Sequence, residues 1–170
     1  GRQILLSEHQ PNVVELLPKL FSISPKVLIK CSPLYDYEMA ISEIANISTI
    51  YSVSKYGEMK ELLILAEKTH FEGRISIICS DILKDKTSIS FRTQDQTDSN
   101  FKGADEVGDF LYEVGSCIVK MRKHHQYASE LNLMAFDVSV AYYTSNYSIN
   151  KFIGRCFKVI KSMNYNSKDC

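Results

Sequence analysis

Four residues just after an early apolar run have the types and spacing of a ligand-facing rim. Lys30, Ser32, Pro33 and Asp36 follow directly on the apolar residues 27–29. In an open α/β sheet, polar residues just past the carboxyl end of a strand face the ligand crevice. We therefore predict that these four residues line the substrate side of a site, where they would position a bound molecule. The alternative is an ordinary turn in which Pro33 stiffens the chain and Asp36 caps the next helix.

The elements around this turn predict an α/β fold. Residues 27–31 are almost wholly apolar, which is typical of a central parallel strand covered on both faces. A helical stretch follows at residues 37–44, and a second apolar strand at residues 47–53. Strand, polar turn, helix and strand together form a β-α-β unit of a parallel sheet.

The neighbouring segments carry weaker signals. We predict a strand at residues 4–6 and an amphipathic helix at 11–20 that Pro18 should end or kink. Residues 59–67 fit either a helix or a strand, and the tight turn before them favours the return strand of a hairpin. Period-two alternation predicts a second hairpin from residues 73–79 and 88–92.

The last third of the chain begins with a polar, turn-rich loop or linker at residues 93–105. Beyond it we predict two helices, at residues 110–121 and 127–134, and two strands, at residues 138–143 and 155–160.

This last third also has the composition of a nucleic-acid surface. Between residues 117 and 161 there are seven basic and two acidic side chains, with four tyrosines interleaved. Basic groups bind phosphates, and exposed aromatic rings stack on unpaired bases. The RNA-binding candidates are Lys120, Arg122, Lys123, Tyr142, Tyr143, Arg155 and Lys158. The alternative is a solvated charged face above tyrosines that belong to the core.

Other chemistries have little support. The 20 basic and 20 acidic side chains cancel, so net charge gives no reason to expect a polyanion-binding chain as a whole. The five cysteines are widely spaced and form no metal-ligand motif with the histidines, so we predict free thiols and no metal. His124 and His125 are adjacent on a predicted helix, so we expect them to be exposed and to point in different directions. Hydrolase-triad, phosphate-loop and dinucleotide-glycine motifs are all missing from the sequence.

The sequence also bears on location. No apolar run approaches the roughly 20 residues that cross a bilayer, and no signal peptide is visible. We predict a cytoplasmic protein without a membrane partner, and the oligomeric state is left open.

Several segments, taken in order, resemble bacterial class I S-adenosylmethionine-dependent methyltransferases that carry a C-terminal THUMP-like domain. Residues 10–16 resemble the stretch after the family's D-P-A-R-R catalytic motif, and residues 30–36 resemble its K-L-S-P-M-x-D. Residues 51–54 and 58–63 resemble V-V-S-V followed by E-x-K-E-L-L. Near the end, residues 111–113, 143–145 and 154–157 resemble L-Y-E-P-N, L-Y-T-S and P-G-R-V-F. The chain departs from the pattern at Val114-Gly115, in place of Pro-Asn, and at residues 136–139, in place of H-P-N-S.

The resemblance implies a fold in three parts. Residues 1–68 would be the C-terminal part of a Rossmann-like methyltransferase sheet, and residues 69–100 a ferredoxin-like hairpin region and linker. Residues 101–170 would be a small α+β, THUMP-like domain.

The resemblance also implies a function, the methylation of RNA such as tRNA or rRNA, with the THUMP-like domain docking the RNA. It adds Thr144 and Ser145 to the RNA-binding candidates. The cofactor, S-adenosylmethionine, would be bound by the full-length parent, because the Gly-rich loop and the catalytic residues are expected upstream of Gly1. This chain alone would then lack cofactor-binding residues and be inactive. The alternative function is a non-catalytic module that binds a protein or RNA.

Overall fold

The described part of the chain folds into two five-stranded β-sheets with few helices. A computed structural model describes residues 5–69, 73–95, 102–137 and 139–163. After a 3-10 turn at Leu6–Glu8, the helices are α1 (Val13–Ile23), α2 (Tyr37–Glu43), α3 (Ser116–Lys120) and α4 (His124–Glu130). The strands are β1 (Lys26–Cys31), β2 (Ile47–Lys55), β3 (Glu58–Glu67), β4 (Ser76–Ile82), β5 (Ser88–Gln94), β6 (Lys102–Gly103), β7 (Phe110–Val114), β8 (Met134–Ala135), β9 (Tyr142–Ser145) and β10 (Gly154–Lys158).

The first sheet has the strand order β1-β3-β2-β4-β5. Strands β1, β2 and β4 run parallel to one another, and β3 lies antiparallel between β1 and β2. The predicted β-α-β unit is therefore present, but the hairpin partner β3 separates its two strands. The predicted hairpins β2–β3 and β4–β5 are also confirmed.

The expectation for the first strand was wrong in one respect. We predicted a central strand covered on both faces, whereas β1 forms the edge of the sheet within the described residues. Its burial alternates, so Ile29 and Cys31 are buried while Leu28 is 59% exposed. An apolar run is typical of a strand that is covered on both faces. Within the described residues, however, the side chain of Leu28 is left mostly exposed.

Two further differences concern the amino-terminal segment. Leu6–Glu8 forms a 3-10 turn rather than a strand. The backbone amides of Leu6 and Ser7 donate to the carboxylate of Glu43 and not to a neighbouring strand. Ile4, which was also predicted in this strand, lies outside the described residues. Helix α1 continues through Pro18 to Ile23. The proline ring lies on the exposed side of the helix, while the other side packs through Leu17.

The second sheet has the order β10-β7-β9-β8-β6. Residues 110–114 were predicted as the start of a helix but form β7, which pairs antiparallel with β10 and β9 on its two sides. Tyr112 and Val114 are buried with period two, so strand pairing overrides helix propensity. The predicted strand at 138–143 appears later, as β9 from Tyr142, and Val138 lies outside the described residues. The predicted strand at 155–160 corresponds to β10, and α3 and α4 account for the predicted helical residues from Ser116 to Glu130.

One continuous hydrophobic core joins the two sheets. Helix α3 packs against β2, β3 and β4, and its buried residues Cys117 and Ile118 face core residues of the first sheet. Helix α4 adds an edge-to-face ring contact between Tyr127 and Phe91 of β5. The position of each sheet is therefore fixed by α3 and α4.

The predicted division of the chain at residues 68 and 100 stays a prediction. Strand β4 pairs with β2 across the first of these positions, so hydrogen bonding in the first sheet is continuous there. Residues 96–101 lie outside the described residues.

Among the described residues, no helix is long and apolar enough to cross a membrane. The thiols of Cys31, Cys79, Cys117 and Cys156 are free, and only Cys156 of these four is exposed.

Candidate functional site

A cleft of about 400 Å³ runs along the exposed edge of β1 and contains part of the predicted rim. We call it the β1 cleft. Its walls come from β1, from α1 and from the 3-10 turn, and its lining includes His9, Leu20, Leu28, Lys30, Cys31, Ser32 and Tyr35. The lining is mainly apolar, with Lys30 and Ser32 at the carboxyl end of the strand.

Glu43 holds the wall that the 3-10 turn contributes. Its carboxylate accepts hydrogen bonds from Leu6 N (2.7 Å), Ser7 N (3.0 Å) and Ser7 Oγ (2.5 Å), and a longer one from Tyr35 Oη (3.4 Å). Burial alone raises the pKa of Glu43, but these hydrogen bonds outweigh burial and lower the pKa overall. The ionised carboxylate thus ties the chain before α1 to helix α2.

The predicted rim residues Lys30 and Ser32 form contacts within the protein. Lys30 Nζ forms an ion pair with Glu61 Oε1 of β3 at 3.0 Å, on the exposed surface of the sheet. Ser32 Oγ accepts a hydrogen bond from Leu34 N at 3.2 Å, and Ser32 O accepts one from Tyr35 N at 3.0 Å, which closes the turn around Pro33. Lys30 and Ser32 line the β1 cleft, whereas Pro33 and Asp36 do not.

Asp36 faces the second sheet. Its Oδ1 accepts from Glu38 N at 3.1 Å and caps α2 as predicted, while its Oδ2 pairs with Arg122 at 3.3 Å. Arg122 also pairs with Glu38. Asp36 and Arg122, which belong to different predicted sites, are therefore in contact. Their ion pair links the start of α2 to the turn between α3 and α4.

The thiol and the phenol among the described residues of the β1 cleft are not activated as nucleophiles. Burial raises the pKa of the Cys31 thiol to about 11, so the thiolate is scarce at neutral pH. Burial, followed by the negative charge of Glu43, raises the pKa of Tyr35 as well. No group of three or more His, Cys, Asp or Glu side chains in the described ranges could hold a metal ion. The chemistry that this cleft supports is the positioning of a bound group rather than covalent catalysis.

The RNA-binding candidates do not share one surface. Four of them are buried: Lys123, Tyr143, Thr144 and Ser145. Lys123 Nζ donates to Asp95 O at 2.5 Å, Thr144 Oγ1 accepts from Gly108 N and donates to Phe110 O, and Ser145 Oγ donates to Tyr147 O. In this conformation these side chains hold the second sheet and its connections in place.

The remaining candidates are more accessible. Lys120 is half-buried on α3, and Arg122 is exposed beside α2. Tyr142 is 41% exposed on β9. Arg155 and Lys158 are exposed on β10, where Arg155 forms an ion pair with Glu113 of β7. RNA contact stays a prediction, and these exposed residues are the ones able to make it.

The expectation for His124 and His125 was wrong. The two rings lie with their centroids 4.3 Å apart, and Nδ1 of each is within hydrogen-bond distance of Tyr143 Oη, at 2.8 and 2.9 Å. A phenol has one proton to donate, so it can donate to one imidazole and accept from the other. Burial, with a contribution from neighbouring His125, lowers the pKa of His124. Contacts between residues 18 and 19 positions apart leave no local sequence signal.

The structure of this chain closely matches part of a longer protein. A crystal structure of a "putative methyltransferase" from Porphyromonas gingivalis W83 superposes with a TM-score of 0.87 over 99% of this chain. The two sequences are 20% identical over the match, which covers 43% of that protein. No protein-family profile matches the chain, and no curated protein does.

This likeness shows the fold of the chain. It extends through both sheets, so the arrangement of the two sheets around α3 and α4 is shared with the longer protein. At this level of identity, residue roles do not follow from the superposition.

Proposed function

We propose that this chain is the C-terminal part of an S-adenosylmethionine-dependent methyltransferase that acts on RNA. The observation that carries the proposal is the whole-chain match to a longer protein described as a "putative methyltransferase". The order β1-β3-β2, with parallel strands joined through a helix, suits the terminal part of a Rossmann-like sheet. In the full-length parent, further strands would continue the sheet beyond β1.

The free edge of β1 supports this proposal. Within the described residues β1 pairs only with β3, and Leu28 on the same strand is 59% exposed. An exposed apolar edge strand promotes unwanted pairing, and proteins generally cover such an edge. A neighbouring strand from the rest of a methyltransferase domain would cover the edge and place the β1 cleft beside the active site.

The residues of this chain would act on the substrate side. Methyl transfer is a direct displacement, which depends mainly on how the donor and acceptor are placed. The described residues include no Gly-rich loop that could bind the cofactor, so we assign no cofactor contact to them. Lys30 and Ser32, at the carboxyl end of β1, would contact the acceptor.

The second sheet would dock the RNA. The exposed residues Arg155 and Lys158 lie on the same edge strand, β10, and each can contact a phosphate. Tyr142 offers an exposed ring for stacking. This is a smaller contact set than the sequence alone predicted, because four of the nine candidates are buried.

One observation also favours the alternative of a non-catalytic module. The free edge of β1 could accept a strand from a separate protein, as in β-strand addition. The two functions differ in what covers the edge: the chain's own upstream segment in the enzyme, or a partner in the module.

Methyl transfer from labelled S-adenosylmethionine to bulk tRNA and rRNA, catalysed by the full-length protein, tests the proposal. We expect incorporation into RNA that falls at least tenfold in the Lys30→Ala/Ser32→Ala variant. Lys68→Ala, at an exposed position away from the β1 cleft, is the matched control. If the full-length protein binds the cofactor but transfers no label to RNA, the proposal that RNA is the substrate is contradicted.

A further inference from the structure

A second cleft, of about 690 Å³, lies between the two sheets. We call it the inter-sheet cleft. It is bordered by the β2–β3 turn, the carboxyl end of β4, the junction of β7 with α3, and the start of β10. Its volume is within the range of small-molecule sites, and its place at the carboxyl ends of the parallel strands β2 and β4 is where open α/β sheets bind ligands.

The cleft contains a buried carboxylate. Asp81 is 7% exposed, and its Oδ1 accepts hydrogen bonds from Ser54 Oγ (2.5 Å) and Gly57 N (3.1 Å). Within the described ranges no donor reaches its Oδ2, and no lysine, arginine or histidine forms an ion pair with it. A buried charge without a counter-ion is unfavourable, so a cationic partner would stabilise this carboxylate.

The backbone around Asp81 is held from both sheets. Tyr56 and Gly57 form a two-residue hairpin loop with φ of 57° and 80°. Gly57 N donates to Asp81, and Gly57 O accepts from Ser116 Oγ at 2.7 Å. The loop is therefore fixed between β4 and α3, which pre-organises the carboxylate.

The opposite wall approaches closely because Gly154 has no side chain. Its φ is 136°, and an added Cβ would lie 2.1 Å from Glu113 O. The start of β10 can thus pack directly on the end of β7, and the two strands close that side of the cleft.

The other charges of the cleft are mostly paired with each other or with neighbours. Glu113 pairs with Arg155, and Glu58 pairs with Lys60. Lys84, which is exposed on the β4–β5 turn, has no acidic partner in the described part of the chain. Among its described residues, the cleft therefore has a buried carboxylate, Asp81, and an exposed ammonium group, Lys84, that form no ion pair.

From this arrangement we infer that the inter-sheet cleft binds a small organic zwitterion. Its cationic nitrogen group, an ammonium or a guanidinium, forms an ion pair with Asp81, and its anionic group faces Lys84. The exposed side chains of Tyr56 and Val119 cover the carbon skeleton between them. The inference is independent of methyl transfer, because it uses no residue of the β1 cleft.

NMR titration of the ¹⁵N-labelled chain tests this inference with L-arginine as the probe. We expect saturable shifts of the Gly57, Gly115 and Ser116 amide signals, and at least tenfold weaker binding by the Asp81→Asn variant. This variant keeps an acceptor for Ser54, and a thermal melt checks that it folds. Absence of saturable shifts, or equal affinity of both proteins, overturns the inference.

Two further probes test separately the contact with Lys84 and the need for a cationic group. Agmatine has the guanidinium group of arginine without the carboxylate, so it should bind several-fold more weakly, and Lys84→Ala should remove that difference. A difference that survives in Lys84→Ala contradicts the role of Lys84. Adenosine carries hydroxyl donors without a cation, and tighter binding of adenosine than of arginine overturns the cationic assignment.

A pair of variants controls for damage to the Asp81 network. Val119→Trp should fill the cleft from an exposed position and abolish arginine binding without altering Asp81. Val140→Trp, at a similarly exposed position outside the cleft, should leave binding unchanged. Unchanged binding by Val119→Trp places the arginine elsewhere and overturns the inference.

Discussion

The two clefts border the same sheet but differ in how they are built. The β1 cleft is mainly apolar, its polar groups are occupied by a turn and by an ion pair with Glu61, and one side is the unpaired edge of β1. The inter-sheet cleft has a buried polar centre at Asp81 and is bordered by backbone from both sheets. The β1 cleft therefore has an unpaired strand edge on one side within the described residues, whereas the described lining of the inter-sheet cleft comes from both sheets and from α3.

This comparison predicts that substitutions between the sheets reduce stability more than substitutions at the β1 rim. The largest effect should come from Gly154→Ala, since the new Cβ would meet Glu113 O and the backbone has a positive φ. We expect a loss of roughly 3–4 kcal/mol in the free energy of unfolding, measured by urea denaturation. Gly103→Ala, where no atom lies within 4 Å of the added Cβ, is the control and should cost less than about 1 kcal/mol.

The next effect concerns Tyr143, which joins β9 to the start of α4. Tyr143→Phe removes the hydroxyl that contacts both His124 and His125, and should lower the free energy of unfolding by about 1–3 kcal/mol. Thermal denaturation measures the loss. A variant as stable as the parent would show that the histidines find other partners at no cost.

The same cluster predicts a pH dependence. Because the pKa of His124 is lowered in the folded state, the unfolded chain binds the proton more readily. The contribution of His124 to stability is therefore fully present above its unfolded pKa of about 6.5, and it is lost as the pH falls from there towards the folded pKa. Denaturation at several pH values should show this decline in the parent protein and a smaller one in His124→Gln. An equal decline in both proteins would contradict the assignment.

In the turn that follows β1 the effects on stability should be smaller. Asp36→Ala removes the cap of α2 and the ion pair with Arg122, with an expected cost of about 1 kcal/mol by chemical denaturation. Asp36→Asn retains the capping oxygen and should recover most of that cost. If Asn is as damaging as Ala, the ion pair matters more than the cap.

Lys30→Ala should have the smallest effect, below about 0.5 kcal/mol, because the ion pair with Glu61 is exposed. Denaturation of the variant measures it. A cost of about 2 kcal/mol or more, which is twice the usual upper limit for an exposed ion pair, would mean that Lys30 is structural rather than a substrate contact.

The local features of the first sheet could be predicted from the sequence because local rules decide them. The turn at Pro33, the cap at Asp36 and the two hairpins each follow from residues within a few positions of one another. The edge position of β1 could not be predicted, because an apolar run suits a covered strand wherever it lies in a sheet.

The second sheet was harder to predict, since its elements depend on distant partners. Residues 110–114 are a strand because β9 and β10 pair with them, and the hydroxyl of the buried Tyr143 contacts His124 and His125 of α4. The polar residues near the inter-sheet cleft can be recognised in the sequence. Ser52 and Ser54 of β2 and Asp81 of β4 occupy buried positions of strands with alternating burial, where apolar residues are usual.

Isothermal titration of S-adenosylmethionine into this chain and into a version extended upstream tests the assignment to a methyltransferase. We expect binding by the extended protein and none by this chain, because in the proposed methyltransferase the cofactor-binding residues would lie before Gly1 and the added strands would cover the β1 edge. No binding by either protein would contradict the assignment to a methyltransferase, and an interaction module would then explain the free edge of β1 better.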